Sequence, residues 1–93
     1  MRSVDLAIYA DAVAGEAAAL AARRERERSR LRQAAIERAA RVELPPPVVA
    51  RLEELGLLTT RADGTKLREL EQALEAVERL QAWVEARLAA SAA

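Results

Sequence analysis

The side chains that could do chemistry in this 93-residue chain are carboxylates and guanidiniums, because it contains no His, no Cys and no Asn, and a single Lys, Lys66. The closely spaced acids are Glu53 with Glu54, and Glu71 with Glu75 and Glu78. Carboxylates at such spacing can share a proton or a metal, but acid-base work requires burial or like-charge crowding to tune them. Here they fall on the polar sides of amphipathic segments, interspersed with Arg68 and Arg79, which is the pattern of a solvated face. The three glycines, Gly15, Gly56 and Gly64, lie too far apart to form a phosphate-cradling loop. The sequence therefore names no catalytic, cofactor-binding or metal-binding residue, and the expectation is a protein that is not an enzyme.

The guanidiniums are concentrated in RRERERSRLR, from Arg23 to Arg32, which holds Arg23, Arg24, Arg26, Arg28, Arg30 and Arg32 with only Glu25 and Glu27 against them. On a helix Arg23, Arg26, Arg30 and Arg41 project onto one arc, while Arg24, Arg28 and Arg32 form a second ridge. Two basic rows could follow the phosphates of a nucleic acid. No aromatic residue flanks them to stack on bases, however, and Glu25, Glu27 and Glu37 dilute the field. A salt-bridged, exposed helix explains the same pattern, and contact with another protein is a further reading.

Three helices would position these groups, with no strand. The first runs over residues 3–44, with Ser3 as its N-cap and Asp5 in the first turn, where the helix dipole favours an acid. Leu6, Tyr9, Val13, Ala17 and Leu20 fall on one side, and the same stripe continues through Arg24, Glu27, Leu31, Ala35, Arg38 and Val42. Its apolar character is lost where the charge run lies. Pro45, Pro46 and Pro47 stop this helix, and proline in a first turn opens a short second one over 47–55. Gly56 closes it, with Leu57 at the position of a Schellman motif. A turn over 56–65 ends at Thr65, read as the cap of a third helix over 66–89.

That third helix carries the strongest pattern in the chain. Leu67, Leu70, Leu74, Val77, Val84 and Leu88 repeat at heptad spacing, with Gln81 the one interruption. Such a narrow stripe is the seam of a coiled coil and predicts pairing with another helix. The first helix offers large apolar residues mainly at its two ends, so the seam is read as an oligomer seam, completed by a second copy of the chain in a two-fold dimer. Trp83 lies off it, beside Ala73, Ala76 and Leu80, and is expected to fill the junction between helices. The proline break and the short turn predict that the third helix folds back beside the first as a hairpin.

Composition agrees with a thin core. Of the 52% hydrophobic residues, 23 are alanines, and the larger Leu, Val, Ile, Met, Trp and Tyr number 25. Fifteen basic and fifteen acidic residues cancel, but residues 1–22 carry net −2, residues 23–41 net +5 and residues 42–93 net −3. Asp5, Asp11 and Glu16 interrupt the apolar stretch from Val4 to Ala22, which argues against a membrane span or a secretory signal. The cytoplasm is the default location. The stretch RLEELGLLTTRADG, Arg51 to Gly64, is similar to the segment joining the DNA-binding head of MerR-type regulators to their dimerising helix. The helix-turn-helix of that family is replaced here by Arg38 to Pro47. Length and long helices are similar to those of the WXG100 proteins, whose Trp-x-Gly turn is missing. Neither family is assigned. The sequence as a whole reads as one all-α domain over 1–93, a small self-associating interaction or scaffold protein, with a nucleic-acid-associated regulator using Arg23 to Arg32 as the alternative.

Overall fold

The computed structural model describes residues 2–92 and consists of three helices: α1 (Ser3–Glu43), α2 (Pro46–Glu54) and α3 (Gly64–Ala92). Helices α1 and α3 pack side by side as a hairpin, whereas α2 touches α1 lightly at the turning end. The molecule is a rod of 70 × 18 × 15 Å. Its radius of gyration, 21.1 Å, compares with roughly 12 Å for a compact domain of this length. α1 is continuous through Gly15 and through the arginine run, as its alanines and long straight-chain residues favour.

The helix ends follow from local chemistry. Arg2, not Ser3, is the N-cap of α1: its carbonyl accepts from the Leu6 amide at 3.1 Å, and its side chain pairs with Asp5 at 3.2 Å. Ser3 is thus already helical and its hydroxyl caps nothing. Leu44, held extended (φ −84°, ψ 151°) by the proline after it, ends α1. Pro45 then accepts from the Val48 and Val49 amides, starting α2 with Pro46 and Pro47 in its first turn. At the other end, Leu57 N donates to the Leu52 carbonyl (2.9 Å) and Gly56 N to Glu53 (3.0 Å), with Gly56 at φ +78°. This is the expected Schellman closure. α3 begins two residues earlier than its sequence suggests, because Asp63 supplies the cap: its Oδ1 accepts from the Thr65 amide at 2.9 Å. Thr65 is instead inside the helix, which extends to Ala92.

The heptad seam of α3 is met within the chain. Leu70, Leu74 and Val84 are buried, and Leu67, Val77 and Leu88 are half-buried. α1 can cover them because it carries the same seven-residue repeat in muted form: Leu6, Val13, Leu20, Glu27 and Ala34 at one seam position, Ala10, Ala17, Arg24 and Leu31 at the other. Its alanines let the backbones approach closely, so large side chains on α3 fill space that α1 leaves open. The sequence stripe drifts from this repeat in three places. Tyr9 is 46% exposed, Ala34 and not Ala35 turns inward, and Val42 is exposed. Arg38 keeps the repeat but is exposed, and its neighbour Glu37 is half-buried against the turn instead. A strict period of seven, not the 3.6 of a straight helix, keeps the seam on its partner over this length.

Candidate functional site

The residues most able to act lie along one flank of the hairpin. Near its open end, where the first turns of α1 lie, Tyr9, Ala12, Val13 and Glu16 of α1 form an open groove with Val77 and Leu80 of α3. The groove encloses about 310 Å³ and is mostly apolar. Each of these α1 residues has a counterpart two heptads later: Arg23, Arg26, Glu27 and Arg30 line a second groove with Lys66 and Leu70. The two lie on the same flank, separated by fourteen residues or roughly 21 Å of helix. One surface is therefore apolar toward the open end and basic toward the turn.

At the floor of the basic groove sits Glu27, a seam residue only 4% exposed. Its Oε2 lies 3.8 Å from Arg30 and 3.9 Å from Lys66. Both cations are half-exposed, so the buried carboxylate is neutralised by groups that keep much of their hydration. Arg23 and Arg26 form no ion pair among the described residues. The other arginines of the run part company with them. Arg24 enters the seam, its Nε buried with no hydrogen-bond partner. Arg28, one residue past Glu27, emerges on the opposite flank and bridges to Glu71 of α3 at 3.6 Å. Arg32 pairs with Glu25 at 3.2 Å. Of the six, Arg23, Arg26 and Arg30 thus share a groove, and Lys66, from the far side of the turn in sequence, joins them.

Beyond Arg30 the polar face of α1 holds the turn. Arg30 Nη2 donates to the Arg61 carbonyl (2.8 Å), Gln33 Nε2 to Thr60 Oγ1 (2.7 Å), and the Thr60 amide to Glu37 Oε1 (3.3 Å). Arg41 donates to the Leu58 carbonyl and to the Glu53 carboxylate. Leu58 has φ +59°, a left-handed conformation unusual for a branched side chain. These contacts explain why the end of α1 is polar toward the turn: what it meets there is loop backbone and polar side chains, not an apolar helix.

The acid pairs are dispersed among exposed ion pairs, Glu53 with Arg41, Glu54 with Arg51, Glu71 with Arg28 and Glu75 with Arg79. Among the described residues no group of three or more His, Cys, Asp and Glu could hold a metal ion, and no helix is long and apolar enough to cross a membrane. Trp83 does not fill a junction. It is 50% exposed, three residues from Leu80 on the groove flank, with the Arg87 guanidinium 5.8 Å from its ring centre. A second set of exposed apolar side chains, Val42, Leu44, Val48, Leu55 and Leu57, surrounds the proline turn. Compared with protein-family models, with curated proteins and with solved structures, the chain matches none.

Proposed function

We propose that this chain is a cytoplasmic, non-enzymatic helical module that self-associates and serves as an interaction or scaffold protein. The observation that carries this reading is surface area. The chain exposes 6799 Å², whereas a compact monomer of 10.1 kDa would expose roughly 5300 Å². The excess is nearly twice the roughly 800 Å² that each partner contributes to a standard interface, and the apolar groove of Tyr9, Val77 and Leu80 lies within the exposed part. A homodimer joined along that flank would give the chain the second layer that a two-helix hairpin lacks. The scaffold role would then fall to what stays outside, foremost the apolar side chains around the proline turn. Lack of His, Cys and Asn, with acids on exposed faces, supports a role without catalysis.

Sedimentation across a dilution series tests the proposal. A dimer at micromolar concentration that dissociates on dilution is expected, and a folded monomer at every concentration would refute it.

The groove of Arg23, Arg26, Arg30 and Lys66 favours a second reading, a nucleic-acid-associated regulator. Counterion release makes such binding steeply salt-dependent, so titrating mixed DNA and RNA with salt separates the two. No binding at low salt eliminates the second reading.

A further inference from the structure

The grooved flank is defined by a spacing, and α3 itself offers side chains at that same spacing. Its groove residues are Leu80 at the apolar site and Lys66 at the basic one, fourteen residues apart. Three residues beyond each stand Trp83 and Glu69, again fourteen apart and on the same flank. Trp83 is half-exposed, and Glu69 is exposed with no ion pair among the described residues.

We infer that a second copy of this chain seats on the groove with its open end at the same end of the rod, Trp83 of each copy entering the other's apolar groove and Glu69 meeting the other's Arg23 and Arg26. This rests on the self-association proposed above and specifies its geometry.

Charge complementarity and height along the rod decide the orientation. Arg30 and Lys66 are already committed to Glu27, while Arg23 and Arg26 lack a carboxylate. Glu69 stands near the level of the basic groove, because its neighbour Leu70 lines that groove. Trp83 stands near the level of the apolar groove, next to Leu80. A two-fold axis parallel to the rod preserves both heights, so tryptophan meets apolar surface and glutamate meets arginine simultaneously. An axis perpendicular to the rod would interchange the heights. The parallel axis also sets α1 of one copy against α3 of the other, so that every neighbouring pair in the resulting four-helix bundle is antiparallel. Ala12, Ala19, Ala73 and Ala76, small and exposed, leave room for that approach. Each copy gives the same residues that it receives, as a closed two-fold interface requires.

The experiment is sedimentation equilibrium of the full chain and four variants, with helicity followed by circular dichroism. Trp83→Ala should weaken the dimer about tenfold or more, the effect of removing an interface anchor, while leaving the hairpin helical because Trp83 contributes little to its core. Arg26→Glu and Glu69→Lys should each weaken it, and the double swap Arg26→Glu with Glu69→Lys should restore association. In the wild type, Trp83 emission should shift to shorter wavelength as concentration rises and dimer forms. A wild-type chain that is monomeric throughout would overturn both the self-association and this geometry. A dimer indifferent to Trp83→Ala and to both charge changes would overturn the geometry alone. Salt-sensitive binding of mixed DNA and RNA that requires Arg23 and Arg26 and leaves the chain monomeric would assign the flank to nucleic acid and overturn the inference as well.

Discussion

The two halves of the hairpin use one repeat for opposite purposes. Toward the open end, Leu6, Val13, Leu20 and Ala17 meet Val77, Val84 and Leu88, and the helices are held by apolar burial. Toward the turn, the same positions carry Arg24, Glu27 and Arg41, and the seam gives way to ion pairs and hydrogen bonds onto backbone. The contrast teaches that a heptad fixes where a side chain points and says nothing of what holds it there. Burial is not weakened by ionic screening and falls off sharply when a methyl group is lost, whereas exposed polar contacts are individually weak and replaceable by water.

Substitutions that remove material from each half give the largest contrast. Leu74→Ala opens a hole beside a side chain that is almost fully covered, and should cost about 2 to 5 kcal/mol. Gln33→Ala removes one exposed hydrogen bond to Thr60, and should cost at most about 0.5 to 1.5 kcal/mol. Urea unfolding at one fixed protein concentration compares them, since association would otherwise add its own term. Equal losses would mean that the turn is as tightly held as the apolar half.

A smaller effect of opposite sign is expected at the boundary. Glu27 is a carboxylate in an apolar seam, and its partners Arg30 and Lys66 remain half-exposed. Replacing it with leucine removes the desolvated charge and leaves those two cations free to hydrate. Glu27→Leu should therefore stabilise the hairpin, by on the order of 1 kcal/mol or more. A lower urea midpoint for this variant would show instead that the three-charge cluster holds the helices together.

How much of this was legible in the sequence depends on whether a residue's role is local or comes from its neighbours in space. The helices, the proline break, the Schellman turn at Gly56 and the hairpin could be read directly, because proline geometry, glycine conformation and periodicity act within a few residues. The N-caps could not, since neighbouring polar residues compete for the role, and they stand at Arg2 and Asp63, not at Ser3 and Thr65. Nor could the partner of the α3 seam. Ala10, Ala17 and Ala34 look like generic helix formers, and only the packed structure shows them sharing the seven-residue repeat of Leu67 to Leu88. The groove was half legible: Arg23, Arg26 and Arg30 share an arc on paper, but Lys66 reaches them only through the fold. Counting sevens from Leu6 to Val13 and Leu20 is the signal that would have found both. The inward Glu27 illustrates the limit, since hydropathy assigns it to solvent and the register places it inside, while Glu37, off the repeat, is half-covered by the turn and accepts from its Thr60 amide.

The finest comparison uses one substitution in both halves. Gly15 lies within α1 in the apolar half, and a Cβ built there meets nothing within 4 Å in the single chain. Alanine at that site replaces the least helix-favouring residue other than proline by the most favouring one. Gly15→Ala should thus raise stability by about 0.8 to 1 kcal/mol. Gly56 also has open space around its Cβ position, so sterics with neighbours again contribute nothing. Its φ of +78° is the difference, because there an L side chain crowds its own backbone. Gly56→Ala should lower stability by roughly 1 to 2 kcal/mol. The opposed signs would come from backbone conformation alone, since neither site offers a contact to gain or lose. Urea midpoints of the two variants, measured at the same protein concentration as the wild type, check this directly. A loss at Gly15 would reveal a neighbour that the single chain does not supply.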